Sequence, residues 1–401
     1  MTATPSLRVL IFHPALAPYR VDAFDTLSRR VALRLVFLAE NVADQAFDQN
    51  RLRAQLEVKP GYLVSGLTVG GRTIRLGFGA EIRRHRPDVV VTSEFGQATL
   101  AALAHRLLGT GAFALVVATD DNPASVLDET RLHALGRRFV LPIVDGVLTL
   151  SEQARALYLG RFGASAPVTA SPMVQSDGLV RARLAAAGGL ARDLATRHGL
   201  FGRSVLLYVG RLAPEKRVDR LVDAVGRLRP AFPDLVLALV GDGPERAALT
   251  RRAAERTPHG SVIFVGRLEG EALSAWYRLG SLFALASAYE RFGAVVNEAL
   301  LAGLPVVVSD RAGAQSLVTE GKNGAVVDAA RPEALDAALA AWLRRQPPLE
   351  PGQLAEPLPS RMESTFEGAI DAFLDGLEAA RLHRAAATRG VTARSTGTDR
   401  G

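Results

Sequence analysis

The sequence predicts an α/β protein with two doubly wound parallel sheets, and three observations carry that prediction. Short β-branched and leucine-rich runs alternate with longer amphipathic stretches from end to end. The runs are almost continuously apolar, as parallel strands covered on both faces are. There are eleven of them, too many for one open sheet of ordinary size, so two sheets are expected.

In the first half, strands are expected at 7–13 (LRVLIFH), 32–40, 88–93 (DVVVTS), 113–120 and 145–151. In the second half they are expected at 204–210 (SVLLYVG), 235–243, 261–267, 282–287, 305–310 and 324–328. The break falls within 172–203: SPMVQSDG has turn chemistry, a helical stretch runs from Leu179 to His198, and GLFGRS precedes the next strand. This divides the chain into an amino-terminal domain 1–175, a linker and helix 176–203, and a second domain 204–346. A proline-rich crossover with a last helix then fills 347–382. The tail 383–401, rich in Thr, Gly, Ala and Arg, reads as disordered. The stretch RRQPPLEPGQLAEPLPS can be neither regular helix nor central strand. The last helix, Met362 to Leu382, spaces Phe366, Ile370, Phe373 and Leu377 by three or four and should pack back on the first domain. Ligands of doubly wound sheets sit beyond the carboxyl ends of the strands, so two such domains facing across a cleft would bind between them.

Composition narrows the classes. With 401 residues there is room for two cores. A content of 48% hydrophobic and 22% charged residues is ordinary for a soluble protein. The absence of cysteine excludes disulfides and cysteine metal sites and favours a reducing compartment. MTATPSLRVLIFHP lacks the apolar core and cleavage site of a secretory signal, and no uncharged apolar run nears the roughly 18 residues that span a bilayer. The expected place is cytoplasmic, with a peripheral position at the inner face of a membrane admitted. The net charge of +7 suits a phosphorylated ligand or an anionic membrane surface. No zinc-finger spacing or aromatic-interleaved basic strand supports a nucleic-acid partner. Only three of the 48 cationic residues are lysines (Lys59, Lys216, Lys322), and a lysine kept against such a bias suggests a need for its chemistry.

The residues just after the strands are the candidates for chemistry. GRLAPEK (210–216) places Gly210, Arg211 and Lys216 in a strand-to-helix loop. There an arginine fork and a lysine point charge could bind phosphate oxygens, though two solvated surface cations would look the same. GDGPE (241–245) follows the next strand, and Gly241 and Gly243 would let a ligand approach the backbone. The dinucleotide pattern G-x-G-x-x-G is absent, since Arg246 fills the third glycine position. FVGRLEG (264–270) again sets glycine and arginine past a strand. In YERFGAVVNEALLAGLPVVV (289–308), Phe292-Gly293 leads into a helix from Ala294 to Leu301, whose N-terminus suits a phosphate. Glu290 precedes that helix. Glu298 lies within it among apolar neighbours and therefore needs a partner. Ribose hydroxyls would serve, as would a structural salt bridge or a partly solvated helix edge.

Taken together, GRLAPEK, GDGPE, FVGRL, ERFGAVVNE and DRAGAQSLVTEGKNGAVV have the order and spacing of the nucleotide-sugar glycosyltransferases of family 4, and the segment 204–330 resembles them strongly. The resemblance implies the GT-B fold and transfer of a hexose from a nucleotide-diphosphate sugar with retention of configuration. It implies that Arg211 and Lys216 hold the donor diphosphate, that Glu290 meets the donor sugar with Phe292 and Gly293 at the sugar and phosphate, and that Glu298 takes the ribose. The backbone at Arg267 and Leu268 would flank the base. No Asp-x-Asp pair follows a strand, so neither metal nor further cofactor is expected.

The first half fits the resemblance less well. The loop after its first strand reads HPALAPYR (13–20), where many members are glycine-rich, and TDDN (119–122) stands where many have a histidine. By their positions after strands, His13, Tyr19, Arg20, Glu94 and Phe95 should line an acceptor side, for a glycan, lipid-linked or small-molecule acceptor. Asp120 or Asp121 would orient the acceptor hydroxyl, although such residues often only make turns. His85, His105, His133, His198 and His259 read as ordinary surface or helix residues. A nucleotide-sugar epimerase on the same fold, or a binder of nucleotide sugars without catalysis, are the alternatives.

Overall fold

The computed structural model describes residues 7–41, 47–69, 72–109, 112–123, 126 and 130–395. The chain forms two units, Met1–Met173 with Glu367–Gly401, and Val174–Phe366. In the first, β1 (Arg8–His13), β2 (Ala32–Phe37), β3 (Gly61–Tyr62), β6 (Val89–Ser93), β7 (Ala114–Thr119), β8 (Gly146–Thr149) and β9 (Val168–Ala170) build one sheet. Its order is β3-β2-β1-β6-β7-β8-β9, parallel at every pair. A separate antiparallel hairpin pairs β4 (Gly66–Val69) with β5 (Arg72–Arg75). In the second unit β10 (Ser204–Val209), β11 (Leu235–Val240), β12 (Val262–Gly266), β13 (Leu282–Leu285), β14 (Val306–Ser309) and β15 (Gly324–Val327) give the order β12-β11-β10-β13-β14-β15. These too are parallel throughout.

All eleven expected strands are present. The interior ones read as apolar runs because both faces are covered: every residue of β11, β13 and β14 is buried. Four strands escaped the sequence: β3, β9 and the hairpin are short, and none carries an apolar run.

The helices of the first unit are α1 (Val21–Arg30), α2 (Gln49–Gln55), α3 (Phe78–His85), α4 (Gln97–Leu107), α5 (Arg131–Val140) and α6 (Glu152–Gly160). Those of the second are α7 (Asp177–Ala186), α8 (Gly188–Arg197), α9 (Val218–Leu228), α10 (Arg246–Arg256), α11 (Gly270–Leu279), α12 (Ala294–Leu301) and α13 (Pro332–Leu343). Helix α9 shows why they form. It buries Val218, Leu221, Val222, Val225 and Leu228 at helical spacing, each side chain contributing about 1.5–3 kcal/mol by leaving water.

The segment 176–203, expected as a linker with one helix, holds two helices, α7 and α8, both packed on α11. The proline-rich stretch after α13 contains one short 3-10 turn, Pro351–Leu354. The last helix, α14 (Phe366–Ser395), returns to the first unit as expected: Ser171 donates to the Ala369 carbonyl at 3.0 Å and Arg30 pairs with Asp371 at 2.6 Å. It runs past Leu382, where a disordered tail was expected, because alanines and arginines there have high helix propensity; residues 396–401 of that tail lie outside the described residues. Among the described residues no helix is long and apolar enough to cross a membrane.

Candidate functional site

In each sheet the strand order reverses once, between β10 and β13 in the second unit and between β1 and β6 in the first. The carboxyl ends beside such a reversal are where open parallel sheets bind ligands, since the loops there diverge and leave a crevice.

In the second unit the two loops at the reversal are 210–217 and 286–293, and one ion pair joins them. The Lys216 ammonium, from the 3-10 turn Pro214–Lys216, is paired with the Glu290 carboxylate 74 positions later, each side chain 18% exposed. The Ala288 amide also donates to the Glu215 carbonyl at 2.8 Å. The loop after β14 runs alongside: the Gly313 and Ala314 amides donate to the Glu290 and Phe292 carbonyls at 3.1 and 2.6 Å. Gly293 then opens α12 at a φ of 96°, a left-handed value that favours glycine. No side chain caps the helix, so its first N–H groups and positive dipole end start beside Glu290. The Phe292 ring is buried, so this residue would reach a ligand through its backbone alone.

Glu298 lies deeper in α12, half-buried, and the protein supplies two donors for it. The Tyr277 hydroxyl donates to Oε2 at 2.7 Å and the Gln175 side-chain amide to Oε1 at 3.2 Å. Burial pushes its carboxyl above the usual range, and the hydrogen bonds from Tyr277 and Gln175 offset only part of that. The partner missing from the sequence is thus partly internal. Gln175, in the loop before α7, and Tyr277, on α11, have no local signal that would have marked them.

Gly241 and Gly243 bring two loops together. A Cβ on Gly241 would stand 1.8 Å from the Gly210 carbonyl oxygen, and one on Gly243 would stand 2.4 Å from that of Leu212. These glycines let the loop after β11 lie directly on the loop after β10, where the Leu212 amide reaches the Asp242 carbonyl at 2.9 Å. They shape the loop of Arg211. Arg211 is exposed at its tip and its carbonyl accepts from the Tyr208 hydroxyl at 2.8 Å. Arg267, exposed, pairs with Glu269 at 2.9 Å after β12; Leu268 beside it is half-buried. A cavity of about 350 Å³ lined by Arg278, Ser281, Pro305 and Arg361 is at the opposite, amino-terminal ends of β13 and β14, and holds none of the expected residues.

In the first unit Glu94 follows β6 with a φ of 58°, strained for a residue with a side chain. Its Oε1 accepts from the Asp120 amide at 3.1 Å, and its Oε2 lies 3.2 Å from His133 Nε2 and 3.4 Å from the Thr119 hydroxyl. His133, read as an ordinary helix residue, therefore belongs to this cluster; α5 brings it there. Asp121 does not have the role expected of it. It is buried, and its Oδ2 accepts from the Tyr158 hydroxyl at 2.7 Å and from Arg137 at 3.0 Å. Asp120, half-buried, is the aspartate nearer solvent.

Across the reversal, His13 ends β1. Its Nδ1 is 2.9 Å from the Ala15 carbonyl, and its ring packs edge-on against Phe24 and Phe37. Burial, with the Arg20 charge adding, pushes its pKa down to about 3. We expect a His13 ring resonance that does not shift between pH 8 and 5 in NMR; a midpoint near the ordinary 6.5 would show a solvated ring instead. A proton taken up only by the unfolded chain makes this group's contribution to stability complete above pH 6.5 and lost as pH falls towards 3. Tyr19 and Arg20 are half-buried in the 3-10 turn Pro18–Arg20 that follows.

Residues 197–355 match the family described as glycosyl transferases group 1. Over this segment the chain is similar to the group 1 glycosyl transferases. The match includes the loops of Arg211, Lys216, Glu290 and Glu298. A GDP-mannose-dependent alpha-(1-6)-phosphatidylinositol monomannoside mannosyltransferase of Mycolicibacterium smegmatis is 32% identical over 202 residues, which are 49% of this chain and 52% of that one. An alpha-D-kanosaminyltransferase of Streptomyces kanamyceticus is 35% identical over 146 residues, 36% of this chain and 38% of that one. The chain thus spans about half or less of the length of these curated relatives. Among solved structures, Anabaena HepE in complex with UDP superposes with a TM-score of 0.66 at 16% identity, over 96% of this chain and 100% of that one. That likeness shows the GT-B fold.

Proposed function

We propose that the protein is a retaining hexosyltransferase, moving a hexose from a nucleotide-diphosphate sugar to the hydroxyl of a glycan, lipid-linked or small-molecule acceptor without a metal. The observation that carries this reading is the Lys216–Glu290 pair at the sheet reversal, set against the uncapped start of α12. As the sugar–phosphate bond breaks, negative charge grows on the diphosphate. The Lys216 ammonium, the Arg211 guanidinium and the α12 N-terminus would be the charges and dipole that receive it. Glu290 would meet the sugar, and Glu298 the ribose through carboxylate lone pairs that Tyr277 and Gln175 leave open. The acceptor hydroxyl would attack from the face the phosphate leaves, its proton passing to the departing phosphate oxygen. In the first unit Glu94, Asp120 and His133 are the side chains we assign to the acceptor. The names of the relatives, mannosyl and kanosaminyl transferases, support a hexose donor and leave the base to be tested.

Incubation with GDP- and UDP-hexoses is expected to raise the melting temperature with one base and to release the nucleoside diphosphate slowly by hydrolysis. Sugar interconversion would indicate an epimerase instead, and no stabilisation by any nucleotide sugar would remove the donor assignment.

Glu298→Gln separates stability from binding. Because burial raises the Glu298 pKa, the folded state loses stability as pH rises through that raised value. A neutral glutamine can accept one of these hydrogen bonds and donate to the other partner once that partner turns round, and it carries no charge. We expect the apo variant to melt higher than wild type at pH 8 and alike at pH 4, while its affinity for the donor falls about 10- to 100-fold, as loss of a charged hydrogen-bond acceptor does. Calorimetry with the nucleoside diphosphate checks the second part, and an unchanged affinity would return Glu298 to a purely internal role.

A further inference from the structure

Helices α4 and α5 lie on one face of the first sheet and are joined at two places. Gly136 of α5 lies against Phe95, just before α4. Arg106 of α4 donates to the Ile143 carbonyl and to Asp145, both at 2.5 Å, just after α5. Their inner sides share one core, Ala98, Ala102 and Leu103 with Val140 and Leu141. The outer side of such helices is ordinarily polar. Here α4 turns out Leu100, Leu107 and Leu108, exposed by 55, 80 and 78%, and α5 turns out Leu135 and Phe139, exposed by 50 and 64%. Ile143, just beyond, is 46% exposed. Six large apolar side chains together in water mark an interaction surface rather than scattered exceptions.

The charge exposed beside it is mostly positive. These helices run antiparallel to the strands they connect, so their carboxyl ends gather at one edge of the unit. Helix α3, packed on α4, ends there with Arg83 and Arg84, followed by Arg86; Arg138 adjoins Phe139 on α5. All four are exposed, and only Arg84 has an ion-pair partner among the described residues, Glu81. A second copy docked by two-fold symmetry would set these guanidiniums against their own kind, since an isologous contact pairs a patch with itself. Leucines and a phenylalanine that protrude beside arginines suit the acyl-chain boundary and the phosphates of an anionic bilayer.

We infer that this face of α3, α4 and α5 seats the protein on an anionic lipid surface, Leu107, Leu108 and Phe139 entering the interface and Arg83, Arg84, Arg86 and Arg138 meeting lipid phosphates. The inference concerns a surface apart from the donor residues and stands whether or not the donor assignment does.

Sedimentation of the full chain with vesicles tests it. Wild type should bind vesicles of phosphatidylcholine with phosphatidylglycerol about tenfold more than phosphatidylcholine alone, less so at high salt. Leu107→Glu with Phe139→Glu should lose binding to both. Arg83→Ser with Arg86→Ser and Arg138→Ser should lose only the anionic preference. All should keep the wild-type melting temperature and its shift with nucleotide sugar, which separates this result from failure of the donor assignment. Equal binding to the two vesicle types, or undiminished binding by the Leu107 and Phe139 variant, overturns the inference. A wild-type dimer that Phe139→Glu splits would assign the face to a second copy and overturn it too.

Discussion

Lys216→Ala is expected to lower donor turnover about 10²- to 10³-fold, the usual loss when one preorganised charge facing a developing anion is removed. The assay is release of the nucleoside diphosphate from the preferred nucleotide sugar, which needs no acceptor. The loss should fall on turnover more than on donor KM, because charge on the leaving diphosphate is greatest as the bond breaks. Lys216→Arg should restore little: a planar fork cannot occupy the place of a compact ammonium held against Glu290. The pairing adds a sharper test. Glu290→Gln should also be slow, and the double variant should be about as slow as either single one, since residues in contact that act as a unit are not additive. If Lys216→Ala only lowers the melting temperature and keeps its turnover, the pair merely ties the 3-10 turn Pro214–Lys216 to residue 290. Stabilisation of the leaving diphosphate would then fall to Arg211 and the α12 N-terminus.

The part of this site written locally in the chain was legible in the sequence. The strands of the second unit announce themselves because full burial on both faces demands unbroken apolar runs, and Gly293 announces the start of α12 because few other residues take its φ. Arg211, Lys216, Glu290 and Glu298 could be picked out as polar residues just past such strands. Long-range pairing was not legible. Tyr277 and Gln175 reach Glu298 from 21 and 123 positions away, and nothing in their neighbours distinguishes them. Gly241 and Gly243 were legible as close-approach glycines, but the sequence could not say that the loop after β10 is what approaches. In the first unit a histidine on an amphipathic helix looks the same whether it faces water or, like His133, a carboxylate 39 positions back. The same limit misassigned Asp121, whose buried partners lie 16 and 37 positions further on.

Arg137→Met should accordingly be among the most destabilising substitutions in the first unit, costing about 3–5 kcal/mol, as removal of one partner from a buried ion pair does. Both side chains are more than nine-tenths buried, and the Arg137 guanidinium also lies 3.8 Å from the centre of the Phe162 ring. Methionine fills most of the volume, so the loss is that of a charge partner and not of a cavity. The melting transition of this unit should drop on the order of 10 °C. Its dependence on pH identifies the cause. Burial, with Glu94 adding, already raises the Asp121 pKa, and without Arg137 it rises further. A carboxyl whose folded pKa lies above its unfolded one loses stability as pH rises through the folded value. The deficit of Arg137→Met should therefore be largest at high pH and shrink as pH falls and Asp121 takes up a proton. Asp121→Asn in the same chain should recover most of the loss at pH 8, because the neutral amide can still accept from the Tyr158 hydroxyl. A deficit that stays constant with pH, or no recovery in the double variant, would mean that Asp121 is not held as a buried anion. The aspartate would then be free to serve the acceptor after all.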